Sequence, residues 1–207
     1  KDKRIITNDW SDYFKCLKRY RVLDICNRLG PLIISIYLKM SRASMFYVPS
    51  FSVHNLCREL DALTVTLNIQ GKVIKPQKHN EMYIQEAQSL EERAYIPLKG
   101  NVHIDEIING YKKFFETPYK TNFTEYEDMA LICGLTKDKK RIESSLNLVY
   151  TELKSWKDVY FEEFNGFENW FKDLEQRVWN PERLSQIAES ELKKHKLEKL
   201  PVREILF

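Results

Sequence analysis

Two hydrophobic periods share this chain, and together they limit its fold more than any single motif does. In LTVTLNIQGKVI, Leu63, Val65, Leu67 and Ile69 alternate with Thr64, Thr66 and Asn68. A period of two puts alternate side chains on opposite faces of a strand. The run is therefore expected as a half-buried strand, with Gln70-Gly71 as the tip of a hairpin. Further on, Ile142, Leu146, Val149, Leu153 and Trp156 recur at intervals of four, three, four and three. That is the narrow apolar stripe of a helix that packs on other helices.

The changeover falls near Asn80. Before it, Trp10, Tyr13, Phe14, Leu17 and Tyr20 fit one helix face, with Asn8 or Asp9 as its cap. LIISIYLKM (Leu32–Met40) is rich in β-branched residues and reads as a strand. A turn at 41–44 and a second strand at 45–48, ended by Pro49, follow; residues 52–60 fit either a short helix or a strand. After it, helices are expected over 80–93, 105–115 and 124–133, the last ended by Gly134. Asp138 caps the helix of the apolar stripe. Phe167, Trp170, Phe171, Leu174 and Val178 form another stripe, and Asn180-Pro181 opens a helix through Leu184, Ile187, Ala188 and Leu192.

The expected fold is α+β: a small antiparallel sheet with helices in the N-terminal half, an α-helical C-terminal half, and a mostly helical whole. Residues 1–100 make the mixed α/β region and 101–207 the helical region. Tight turns around Pro97, Gly100 and Pro118, with no flexible linker, imply that the two pack as one unit.

At 207 residues the chain can bury a core without disulfide or metal staples. Cys16, Cys26, Cys57 and Cys133 are widely spaced and form no CxxC pair, so they are expected as reduced, mostly buried thiols of a cytoplasmic protein. KDKRIITNDW lacks the apolar core of a secretory leader, and Leu32–Met40 is too short to span a bilayer. HxxxH, HExxH, GxSxG and phosphate-loop patterns are absent, so neither cofactor nor metal is expected. His103, followed by Asp105 and Glu106, reads as a strand end and a helix cap with acids at the positive end of the dipole. His54, His103 and Arg42 are the members of a dispersed enzyme site if the fold unites them.

The net charge of +3 hides a polarity. Residues 1–60 carry 11 basic and 5 acidic side chains, and residues 121–182 carry 8 and 13. Lys15, Lys18, Arg19 and Arg21, with Tyr13 and Tyr20, make the first helix the best nucleic-acid candidate. Asp9, Asp12 and Asp24 dilute it, and a chain-wide positive excess is missing, which ranks nucleic acid below a protein partner. The Lys-Lys-His-Lys run at 193–196 is expected merely as cations at a helix end.

The stretch 158–180 packs seven aromatic side chains among six acids, opposed by Lys172 and Arg177 alone. Rings supply contact area and carboxylates steer a basic partner. Phe167, Trp170, Phe171, Leu174 and Val178 can all be core. Residues 160–164 precede Gly166 and so fall at a corner, where the rings cannot all be buried. The candidate partner-binding residues are Tyr160, Glu162, Glu163, Phe164, Glu168 and Asp173.

In type, YFEEFNGFENWFKDLEQ (160–176) and NPERL (180–184) resemble the immunity proteins of bacterial polymorphic-toxin and contact-dependent growth inhibition systems. Those are small cytoplasmic inhibitors that bind a cognate toxin domain, often a basic nuclease, and occlude its active site. The resemblance spans the C-terminal half. It implies a non-enzymatic inhibitor of a basic protein toxin, with Glu162, Glu163, Glu168 and Asp173 mimicking phosphate and Tyr160 and Phe164 anchoring the contact. A nucleic-acid-binding protein using the first helix, and an enzyme with a dispersed site, stay open beside it.

Overall fold

The β-branched run becomes the long central strand of an antiparallel sheet in the computed structural model, which describes residues 2–118 and 122–207. Helix α1 (Lys3–Tyr13) precedes β1 (Lys18–Arg21), β2 (Asp24–Leu29), β3 (Leu32–Met40), β4 (Tyr47–Asn55) and β5 (Thr66–Gln70), which pair antiparallel in that order. Next come α2 (His79–Arg93), β6 (Val102–His103), α3 (Ile104–Phe115), α4 (Thr124–Leu135), α5 (Lys139–Leu153), α6 (Phe167–Val178) and α7 (Pro181–Lys194). Two short strands, β7 (Val202–Arg203) and β8 (Ile205–Leu206), finish the described chain. The fold is α+β, as the two periods imply.

The end of the chain returns to its beginning. β1 pairs with the first half of β2, and β7 lies parallel to the second half of the same edge, Arg28 opposite Val202. β8 pairs parallel with β6. Arg203, nearly buried, donates to the carbonyls of Gly100 at 2.6 Å and Pro97 at 2.7 Å, clasping the turn between the mixed and helical regions. One apolar cluster runs from Ile6 through Ile34, Phe51 and Tyr111 to Trp170 and Leu184, so residues on both sides of position 100 share it.

The sheet has two unlike faces. Ile25 and Leu29 of β2, Ile34, Ile36 and Leu38 of β3, and Phe51 and Val53 of β4 enter that cluster. On the opposite face Cys26 and Ile33 meet Leu56, Leu197 and Leu200 in a small second cluster, and the rest of the face is polar.

Five local expectations are corrected. Helix α1 starts at an Asp2 cap, whose carboxylate accepts from Arg4 N at 2.6 Å, and ends at Tyr13. Lys18, Arg19, Tyr20 and Arg21 lie on β1, because the free edge of β2 offers that run a ladder of backbone hydrogen bonds. Pro49 sits inside β4: its opposite number, Leu38, donates to the carbonyl of Leu23, just before β2, so the pair exchanges no bond across β3 and β4. Gly71 forms no hairpin tip; its N–H donates to Pro49 O and the chain runs on beside β4 to Ile74. Gly134 lies within α4, where its missing Cβ lets Val178 O approach.

A bulge also breaks the predicted alternation of β5. Phe51 faces Ile69 and Val53 faces Thr66, so Ser52 of β4 opposes two residues of β5, Leu67 and Asn68. Leu67 takes up the extra residue at φ 49°, an unusual conformation for a bulky side chain. As a result Val65 is 60% exposed and Thr66 only 1%.

Candidate functional site

The corner between α5 and α6 is a 3-10 segment, Asp158–Phe164, not a continued helix. It turns through Asn165 at φ 58° and Gly166 at φ 106°, the latter a conformation that favours glycine. Phe161 is the ring that anchors it, fully buried with centroids 5.1 Å from Phe123, 5.1 Å from Trp170 and 5.3 Å from Phe167. With Phe161 held inward, Val159 is 60% and Tyr160 47% exposed. Tyr160 leans edge-on against Trp156.

The six candidate residues do not form one surface. Tyr160, Glu162 and Glu163 are exposed together, and neither glutamate has a cationic partner among the described residues. Phe164 is half-buried against Phe123. Glu168, in the first turn of α6, accepts a long bond from Tyr150 Oη at 3.4 Å. Asp173 is five residues further on, about 140° around the helix, and is engaged by Arg177 at 2.7 Å.

That ion pair is the outer end of a buried polar chain that the sequence does not announce. Arg177 also binds Glu127 at 2.7 Å, and Arg58, from the loop after β4, reaches Glu127 at 3.9 Å. Arg58 Nε lies 2.9 Å from Asp128 Oδ1, close but out of hydrogen-bond alignment, and Nη2 donates to Thr64 Oγ1 at 2.8 Å. Thr66, turned inward by the bulge, meets Asp128 Oδ2 at 3.0 Å. Burial pushes the Asp128 carboxyl up to about 7; Arg58 opposes that rise and Glu127 adds to it. The chain ties β4, β5, α4 and α6 together. A signal for it existed only in the polar residues Thr66 and Asp128 interrupting apolar runs.

His54, His103 and Arg42 are not brought together. His103 caps α3, its Nδ1 accepting from Asp105 N while Glu106 reaches back to His103 N, as the sequence implies. Arg42 is exposed in the turn between β3 and β4, at the far end of β4 from His54. Seven residue steps along β4 from Tyr47 to His54 span about 23 Å. His54 is buried on the polar sheet face. Its Nδ1 accepts the Thr64 N–H at 2.8 Å, so in the neutral ring the proton sits on Nε2. Burial first, then Arg58 and His195, push its pKa down to about 4.

The four cysteines are free thiols, with Cys26, Cys57 and Cys133 buried. Among the described residues no group of histidine, cysteine, aspartate and glutamate is placed to hold a metal ion, and no helix is long and apolar enough to cross a membrane. No protein-family model, curated protein or solved structure matches the chain.

Proposed function

We propose that this protein is a protein-binding inhibitor of the immunity type, which neutralises a cognate basic toxin, a nuclease by class, by covering its active site. The observation that carries the reading is the corner at 158–164. There the exposed Val159 and Tyr160 stand beside Glu162 and Glu163, which lack counter-ions among the described residues. A buried Phe161 holds that corner rigid, so little order is lost when a partner docks. Carboxylates without internal partners are available to a toxin's lysines and arginines in place of phosphate. In this reading Tyr160 is the anchor, Phe164 backs it from beneath, Glu168 extends the acidic rim, and Asp173 holds α6 through Arg177. The protein works in the cytoplasm, with its cysteines as thiols.

The test is capture of partners by the tagged protein from its host at low and moderate salt. It is repeated with Glu162→Lys/Glu163→Lys. A basic protein held stoichiometrically by the wild type, inhibited by it, and lost with the double reversal supports the reading. A captured toxin that binds the reversal variant equally well removes this surface.

A further inference from the structure

Two basic runs from opposite ends of the chain meet at one edge of the sheet. Tyr20 Oη donates to His195 O at 2.8 Å, joining β1 to the end of α7. Around this junction lies a groove of about 530 Å³, lined by Lys18, Arg19 and Arg21 from one run and Lys194, Lys196 and Lys199 from the other. Lys194 is held by Glu191 at 3.3 Å and by Leu60 O at 2.7 Å, and Arg21 lies over the Tyr20 ring, 4.8 Å from its centroid. Lys18, Arg19, Lys196 and Lys199 have no carboxylate partner among the described residues. None of the three acids that dilute the first basic run in sequence lines the groove, although Asp24 stands opposite Arg21 across β1 and β2. Asp9 and Asp12 stay on α1, where Asp9 meets His79 at 2.9 Å.

Beside the groove, sharing Tyr20, Arg21 and His195 with it, is a cleft of about 400 Å³ on the polar sheet face. Strand register orders its floor. Asp24 and Tyr37 form one row, Cys26, Ser35 and Ser52 the next, and Ile33 and His54 the last. Among the described residues His54 Nε2–H has no acceptor, although the residue is only 3% exposed and lines the cleft. A buried donor left without an acceptor costs free energy that a ligand's acceptor would recover. Asp24, which accepts from Ser35 at 2.9 Å, adds an acceptor, and Tyr37, 45% exposed, offers a ring face. Because Nε2 carries the proton, His54 donates and cannot serve as a general base toward Ser52. The cleft is built to bind.

We propose that groove and cleft together bind single-stranded nucleic acid, with phosphates along the unpaired cations and one unstacked base in the cleft. Uncompensated cations beside a ring and a donor–acceptor pair are what a flexible strand needs; a duplex keeps its bases stacked and out of reach. The surface is separate from the acidic corner, so failure of the inhibitor reading leaves it standing.

The experiment is fluorescence anisotropy of labelled oligo-U and oligo-dT against the full chain across a salt series. Four phosphate contacts predict a slope of log K on log salt near −3, about a fifty-fold loss between 50 and 200 mM. Lys196→Gln/Lys199→Gln, at exposed positions, should halve that slope, giving about a seven-fold loss over the same range. Tyr37→Ala should weaken binding at least about five-fold with the slope unchanged. Three results overturn the proposal: no binding at 50 mM salt, polyphosphate binding as tightly as the oligonucleotides with Tyr37→Ala silent, or capture of phosphatidylserine vesicles without any oligonucleotide.

Discussion

Replacing Asp128 by Asn should erase a pH dependence that the buried carboxyl imposes on folding. Asp128 is fully buried on α4, with Arg58 Nε at 2.9 Å and Thr66 Oγ1 at 3.0 Å. The Thr66 hydroxyl has one hydrogen but two neighbouring acceptors, Val53 O at 2.9 Å and Asp128 Oδ2. If it donates to Val53, the second contact is a hydrogen bond only when the carboxyl carries a proton. Burial raises the folded-state pKa to about 7, and a Thr66 hydroxyl that donates to Asp128 works against that rise. In the unfolded chain an aspartate titrates near 3.9, so between these values the native state binds more protons and stability falls as pH rises. About three units at 1.36 kcal/mol each give roughly 4 kcal/mol, lost between pH 4 and 7 and level above. Asn places a donor where the protonated carboxyl has one, and Arg58 keeps Glu127. Urea unfolding of wild type and Asp128→Asn, at half-unit steps from pH 4 to 8, isolates this contribution by difference, because every other group is common to both. The expected result is a difference that shifts by about 4 kcal/mol in favour of the variant up to pH 7. A difference flat across that range would refute the reasoning and show that Arg58 holds Asp128 ionised throughout.

His54 should behave in the opposite sense. Its folded pKa near 4 lies below the usual 6.5, so the native state resists protonation, and stability is lost as pH falls from 6.5 to 4, by up to about 3 kcal/mol. His54→Asn should flatten that limb in the same unfolding series, and an unchanged limb would assign it to another group. Gly110→Ala should destabilise by about 2–3 kcal/mol in urea, because the new methyl would sit against the backbone carbonyl of Tyr95 inside the contact of α3 with the 94–98 segment.

What the sequence alone determined here is local. The strand at Leu32–Met40 and the caps at Asp138, Asn180 and His103 all form as read, since each rests on side chains within a few residues of one another. The corner at 158–164 was legible as a place where rings and acids crowd, but which ring turns inward was not. Phe161 is chosen by Phe123, some forty residues away. Tertiary structure decided the rest. It drew Lys18–Arg21 out of the predicted helix to pair with β2, and it inserted the bulge that turns Thr66 toward Asp128. It also returned the chain's end to β2, setting Lys196 and Lys199 beside Lys18 and Arg19. The physical reason is the same in each case. A period or a cap is a short-range energy and repeats wherever its residues occur. A strand edge, a buried carboxylate or a meeting of like charges takes its energy from groups that only the folded chain brings within reach.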